Sequence, residues 1–245
     1  MTDPRYDALV AHAVASIMDA QVWSKPYPHM VFRNFWPEDF YQELLARRPE
    51  EKNYFAINGA QTRYQFNLFD GSCDAGDDER RALWKFVSDV CSSPELENAM
   101  RTRLDEGFRL RANGSKEGWP VPMYPRPVLY NDYDGYRIKP HPDTRRKVLT
   151  MLIYMPEDDS QAALGTTLYR LSPQGLFSWK HFGLAEEKTV PFLPNTGCAF
   201  VVIHPAYDFL HTSWHGRESI AIDNVKPRFS ILNTYYAQPV EKVVY

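Results

Sequence analysis

The side chains best suited to chemistry lie in two distant places. One is His141-Pro142-Asp143, closing the run Tyr133-Asp134-Gly135-Tyr136-Arg137-Ile138-Lys139-Pro140; the other is Ser213-Trp214-His215-Gly216, with Arg228 thirteen residues beyond His215. In an extended strand the side chains at i and i+2 share a face, so His141 and Asp143 can grip one ion together. A second histidine from later in the chain would complete a facial triad. Two imidazoles and one carboxylate leave about three positions of an octahedral ion open, a set that suits ferrous iron with room for reactants. Three late histidines compete for the third position: His204, His211 and His215. His211 and His215 would share a face of a regular strand, so parity does not choose between them.

These groups need a scaffold, and its outline is readable. Asp3-Pro4 caps a helix that runs to about Ala20, with Tyr6, Leu9, Val10, Val14, Ile17 and Met18 at helical spacing. Residues 26–35 read as a strand. Trp36-Pro37-Glu38-Asp39 opens a second helix with a stripe of Phe40, Tyr41, Leu44 and Leu45, which Pro49 stops. An aromatic, amide-rich strand with a loop before it occupies 54–69. After acidic turns at 74–79, Leu83, Trp84, Val87, Val90 and Cys91 mark a third helix, and Ser93-Pro94-Glu95 opens a fourth carrying Leu96, Ala99, Met100 and Leu104. A Gly- and Pro-rich link at 113–127 follows.

From Val128 the pattern changes to eight short strands: 128–133, 136–141, 147–155, 166–171, 188–193, 198–203, 211–220 and 228–236. Strands of this length and spacing predict a two-sheet jelly roll. The helices need a sheet to cover and the sheet needs covering, so the link is not read as a domain boundary. The expectation is one domain over residues 1–245, with 1–125 as helical and strand support and 126–240 as the core.

The composition agrees with a pocket-forming globular chain: 245 residues, 44% hydrophobic and 14% aromatic. A formal charge of −3 requires neither nucleic acid nor an anionic membrane as partner. The N-terminus lacks a secretion pattern, and no run approaches the roughly 18 apolar residues of a membrane span, so a cytoplasmic protein is expected. Cys73, Cys91 and Cys198 are odd in number and widely spaced, which points to buried thiols rather than a zinc site or disulfides. Asn113-Gly114-Ser115 reads as a turn.

The ordered constellation resembles the Fe(II)/2-oxoglutarate-dependent dioxygenases, specifically their prolyl-hydroxylase-like branch. The residues that carry the resemblance are Tyr133 to Asp143, the Lys-x-x-Thr-x-x-x-Tyr strand from Lys147 to Tyr154, the pair Gly165-Thr166, Ser213 to Gly216, and Arg228. They span roughly 125–240 in order. The resemblance implies a double-stranded β-helix, a jelly roll with helices packed on its larger sheet. It also selects His215 as the third ligand beside His141 and Asp143, leaving His211 as a loop or pocket residue and His204 as structural.

The resemblance further assigns Arg228 to the distal carboxylate of 2-oxoglutarate, a bidentate task that a guanidinium suits, and Tyr154 to a hydrogen bond with the same group. It turns the 54–69 strand toward the site, making Arg63 and Asn67, four apart on one face, candidate substrate contacts. On sequence Arg217 is a rival anion clamp, a surface salt-bridge partner or a substrate contact, and Thr150, Tyr133 and Thr166 are candidates for the pocket wall. Fe(II), 2-oxoglutarate and O2 are the implied cofactor and co-substrates, with release of succinate and CO2. Asp143 stands where related halogenases have a small residue, which implies hydroxylation or a kindred oxidation. The expected substrate is a small polar metabolite; the alternatives are a protein side chain such as proline, a non-catalytic jelly-roll binding module, or a zinc hydrolase, which would leave Arg228 without a task.

Overall fold

Two antiparallel sheets face each other, and helices cover the outside of the larger one. This arrangement is seen in a computed structural model that describes residues 4–69, 78–114, 120–173, 183–218 and 226–239. The strands in chain order are β1 (Gln21–Trp23), β2 (His29–Arg33), β3 (Phe55–Ala56), β4 (Arg63–Asn67), β5 (Tyr124–Asp132), β6 (Ile138–His141), β7 (Lys147–Tyr154), β8 (Thr166–Leu171), β9 (Leu184–Val190), β10 (Thr196–Val201), β11 (His215–Arg217) and β12 (Arg228–Tyr236). The helices are α1 (Pro4–Met18), α2 (Glu38–Ala46), α3 (Asp78–Cys91), α4 (Pro94–Arg103) and α5 (Asp105–Gly114). The larger sheet has the order β1-β2-β10-β7-β12-β5-β4-β3, and the smaller β6-β11-β8-β9.

The alternation of side chains along a strand divides the interior into two layers. On β7 and β12 the odd-numbered residues Leu149, Met151, Ile153, Phe229, Ile231 and Tyr235 are buried against the helices. The even-numbered Thr150, Leu152 and Tyr154 of β7 and Arg228 and Ser230 of β12 point the other way, toward the smaller sheet. There Tyr154, Cys198 and Phe200 of the larger sheet meet Leu168 and Val190 of the smaller one, with Tyr27 and Phe192. A one-residue slip of β12 would exchange the two sets and bury Arg228 against the helices.

The helices form for the reasons their sequences suggest. Ser93 caps α4 by accepting from the Leu96 amide, and Pro94 occupies its first turn. Helix α1 buries Leu9, Val10, Ala13 and Ile17, whereas Met18, expected on the apolar stripe, ends the helix and is exposed. The strand expected at 166–171 and the one at 228–236 have those bounds.

Other boundaries moved. Strand β5 starts at Tyr124, inside the stretch read as a link, although Pro125 and Pro127 interrupt it. Those prolines fall beyond the last rung with β4, Asn67 to Val128, where a missing N–H breaks no ladder on that side. Helix α5 was not expected. It turns Arg111 into the core, where its guanidinium donates to the carbonyls of Arg145, Lys147 and Val202, so its buried face does not read as apolar.

The edge strands β1 and β3, of three and two residues, are too short to show a period. Strand β9 lies at 184–190 rather than 188–193, since Pro191 ends it. Strand β11 is confined to 215–217 because Asp208 accepts the amides of Leu210 and His211 and folds that segment into a turn. Cys73 and part of the acidic turns at 74–79 lie outside the described residues, as do Asp3, Ser115 and residues 219–220. Cys91 and Cys198 are buried free thiols. No helix among the described residues is long and apolar enough to cross a membrane.

Candidate metal centre and arginine cluster

Strands β6 and β11 are antiparallel partners, with His141 directly opposite His215. Cross-strand neighbours bring their Cβ atoms to about 5 Å, and the two imidazole centroids are 4.4 Å apart. Gly216 permits this approach, since a Cβ there would stand 2.8 Å from the Ile138 carbonyl oxygen. Asp143 follows two residues after His141. One donor atom from each of His141, Asp143 and His215 lies within 4.8 Å of the others, and the His215 Nε2 to Asp143 Oδ2 distance is 3.8 Å. His211 is not brought there, because its Nδ1 is bonded to Asp208 at 2.7 Å on a turn. The His204 Nδ1 accepts the Ala206 amide.

The donor set fits a divalent metal. His141 Nδ1 donates to the Lys139 carbonyl and His215 Nδ1 to the Ser213 carbonyl, each at 3.0 Å. A carbonyl only accepts, so each Nδ1 carries a proton and Nε2 is the nitrogen left to ligate a metal. Burial holds the His215 imidazole down at about 4, neutral at physiological pH. Burial raises the Asp143 carboxyl, but Lys147 above all, with His215 and Thr150, outweighs it and keeps the group well below the usual range. Lys147 Nζ donates to Asp143 Oδ1 at 2.6 Å and Thr150 Oγ1 to Oδ2 at 2.7 Å. Such partners fix a ligating carboxylate in place. Phe200 packs on the His215 ring at 4.7 Å.

Farther along the inner face lies a cluster that the sequence reading did not assemble. Arg63, Asp132 and Arg228 stand in one row across β4, β5 and β12. Arg63 forks onto Asp132 with Nε to Oδ1 at 2.5 Å and Nη2 to Oδ2 at 2.8 Å. Arg228 Nη1 reaches the same carboxylate at 3.2 Å, and Arg217 Nη2 at 3.5 Å. Arg228 Nε and Arg217 Nη1 both donate to the Leu164 carbonyl, at 2.8 and 2.9 Å. Asp132 and Arg228 are fully buried and Arg217 is 8% exposed. Burial raises the Asp132 carboxyl, yet Arg63 first, then Arg217 and Arg228, bring it below the ordinary value. Burial and the neighbouring Arg217 lower the Arg228 guanidinium to about 9.

Tyr154 lies beside the cluster. It is fully buried, donates to Thr166 Oγ1 at 2.7 Å, and its ring lies 5.3 Å from the Arg228 Cζ. Phe192 stacks on the same guanidinium at 4.1 Å. Asn67 accepts from Gln65 Nε2 at 2.5 Å, two places along the row that begins at Arg63. Tyr133 points elsewhere: its hydroxyl donates to Glu51 and its ring packs on Tyr64. Asp132, Lys147 and Ser230 were not singled out from sequence, although Lys147 stood in the quoted strand pattern. Ser230 lies two residues after Arg228, on its face of β12, with Oγ 3.4 Å from Arg228 Nη1, and that spacing was its signal.

No protein-family model matches the sequence, and no curated protein matches it by sequence. The fold, by contrast, is found among solved structures. A Pseudomonas putida prolyl-4-hydroxylase superposes with TM-score 0.50 at 13% identity over 94% of this chain and 100% of its own. The non-heme alpha ketoglutarate dependent epimerase SnoN from nogalamycin biosynthesis superposes with TM-score 0.50 at 12% identity, over 94% and 83%. At such identities the likeness establishes architecture alone, one shared with a prolyl-4-hydroxylase and with a non-heme alpha ketoglutarate dependent epimerase.

Proposed function

We propose that this protein is an Fe(II)- and 2-oxoglutarate-dependent oxygenase that hydroxylates a small polar metabolite, working as one catalytic unit over residues 1–245 with a double-stranded β-helix at its core. The observation that carries the reading is two imidazoles and one oriented carboxylate converging on one point, together with buried guanidiniums in the same interior. A zinc hydrolase would use the first and have no need of the second.

In this reading His141, Asp143 and His215 hold ferrous iron on one face, with Lys147 and Thr150 keeping the carboxylate turned toward it. Arg228 receives the distal carboxylate of 2-oxoglutarate by charge-assisted hydrogen bonds, and Tyr154 borders that carboxylate's site. Leu168, Cys198, Phe200 and Phe192 keep water from the space between. Iron so bound supplies an oxidation in which O2 is divided between 2-oxoglutarate, released as succinate and CO2, and a substrate C–H bond, which becomes C–OH. Asn67, on the inward-facing row of β4, is a substrate contact, while Arg63 serves first as a partner of Asp132.

The likeness to a prolyl-4-hydroxylase favours a second reading to the same degree, a protein or peptide side chain as substrate. Anaerobic addition of Fe(II) and 2-oxoglutarate tests the shared part: a visible metal-to-ligand band is expected, lost in Asp143→Ala and His215→Ala. A featureless spectrum with the parent protein refutes the oxygenase and leaves a binding module. Succinate release stimulated by a metabolite panel and not by proline-containing peptides selects the first reading, and the reverse selects the second.

A further inference from the structure

The cluster at the far end of the site holds more positive charge than it can satisfy internally. Among the described residues three guanidiniums, from Arg63, Arg217 and Arg228, share one contacting carboxylate, that of Asp132, an excess of two positive charges. Arg63 uses the fork geometry on Asp132 and is stacked between Tyr130 and Tyr136, at 4.1 and 4.0 Å. Arg217 and Arg228 are placed differently. They share two acceptors, the Leu164 carbonyl and Asp132 Oδ2, so their guanidiniums lie side by side.

Each of the two leaves a donor unused: among the described residues, Arg217 Nε and Arg228 Nη2 are buried without a hydrogen-bond partner. A buried unpaired donor on a cation is costly, more so beside a second cation. An anion beside the pair would take up both donors. Arg217 also shares a face of β11 with His215, two residues away, so it belongs to the interior and not to the surface.

We propose that Arg217 is a second binding residue for the distal carboxylate of the 2-oxo acid, forming with Arg228 a two-guanidinium clamp that Asp132 and Arg63 hold in position. This rests on the oxygenase reading and extends it. A one-arginine site recognises a carboxylate; a paired, desolvated site widens the preference for a 2-oxo acid with a second carboxylate over one that lacks it. Arg217 is thereby assigned to the co-substrate and removed from the primary substrate.

The test uses Co(II)-loaded full-length protein under nitrogen, with calorimetric titration of 2-oxoglutarate and of 2-oxobutyrate, which lacks the distal carboxylate. A charge-assisted hydrogen bond is worth roughly 10- to 100-fold in affinity. Arg217→Met is expected to weaken 2-oxoglutarate binding by about that factor and to leave 2-oxobutyrate binding unchanged, with Arg217→Lys in between. Thermal melts of the metal-free variants separate this from a packing role. Because Arg217→Met removes a buried cation that stands beside a second one and whose Nε has no partner among the described residues, its melting temperature is expected to equal or exceed the parent's, and the rise on adding 2-oxoglutarate is expected to shrink. Unchanged 2-oxoglutarate affinity in Arg217→Met overturns the clamp while leaving the oxygenase reading intact; so does equal loss for both acids with a lowered melting temperature. A parent protein that binds no 2-oxoglutarate overturns both.

Discussion

Replacing Asp132 by asparagine isolates the electrostatics of this interior with almost no change of volume. The parent carboxylate is fully buried and accepts from Arg63 at 2.5 and 2.8 Å, with Arg228 at 3.2 Å and Arg217 at 3.5 Å. Removing one partner of a buried ion pair costs about 3–5 kcal/mol, because the other charge is left uncompensated. Here three cations depend on the same anion, so the upper end applies. For a chain of this length about 2–4 °C of melting temperature accompanies each kcal/mol, giving a fall of roughly 10–20 °C. Thermal and urea melts of the metal-free protein measure it, with an unchanged urea m-value as the sign that the two states are otherwise the same.

The direction with pH follows from the depressed carboxyl of Asp132. A group more acidic when folded contributes stability that is present above its unfolded value of about 3.9 and lost as pH falls through its folded value. The difference between parent and Asp132→Asn is therefore full at pH 7 and closes only in strong acid. Adding Arg217→Met to Asp132→Asn is expected to recover part of the loss, since one orphaned cation is gone. A melting temperature lowered by less than about 2 °C, or a difference that closes between pH 7 and 5, would refute the account of the cluster.

Three further outcomes are expected. Gly165→Ala would set a Cβ 2.0 Å from the Val190 carbonyl oxygen, forcing β8 from β9; a loss at or above about 3 kcal/mol in urea melts is expected, together with weaker 2-oxoglutarate binding, as the preceding carbonyl serves both arginines. Burial lowers the His29 imidazole to about 4, so its neutral form is favoured in the fold and its contribution is complete above about 6.5 and lost as pH drops toward 4; urea melts of metal-free protein should decline across that window, less steeply for His29→Phe. Tyr154→Phe removes a phenol bonded to Thr166 beside Arg228, and calorimetry should show 2-oxoglutarate affinity reduced less than tenfold, with a reduction equal to that of Arg228→Met arguing for a collapsed pocket instead.

The centre was legible in the sequence because its geometry is mostly local. His141 and Asp143 are two residues apart on an extended segment, and that spacing alone puts them on one face. The helices were legible where polarity and burial agree, as in α4 with its Ser93 cap, and not where they disagree, as in α5, whose buried arginine looks like a surface residue. Pro125 and Pro127 speak against a central strand, so the sequence alone places the start of β5 at Val128. Only the length of its neighbour β4 makes them harmless.

The amino-acid order by itself determined which residues can bind a metal, which strands alternate, and that an arginine follows the last histidine at the start of a strand. It could not choose between His211 and His215, which have equal parity; a turn built on Asp208 removes the first, and the β6–β11 register delivers the second opposite His141. Nor could it place Arg63, Asp132, Arg217 and Arg228 together, since they come from four strands in two sheets. Charge balance in a buried space is a sum over neighbours distant in sequence, and only the closing of one sheet over the other brings its terms into contact.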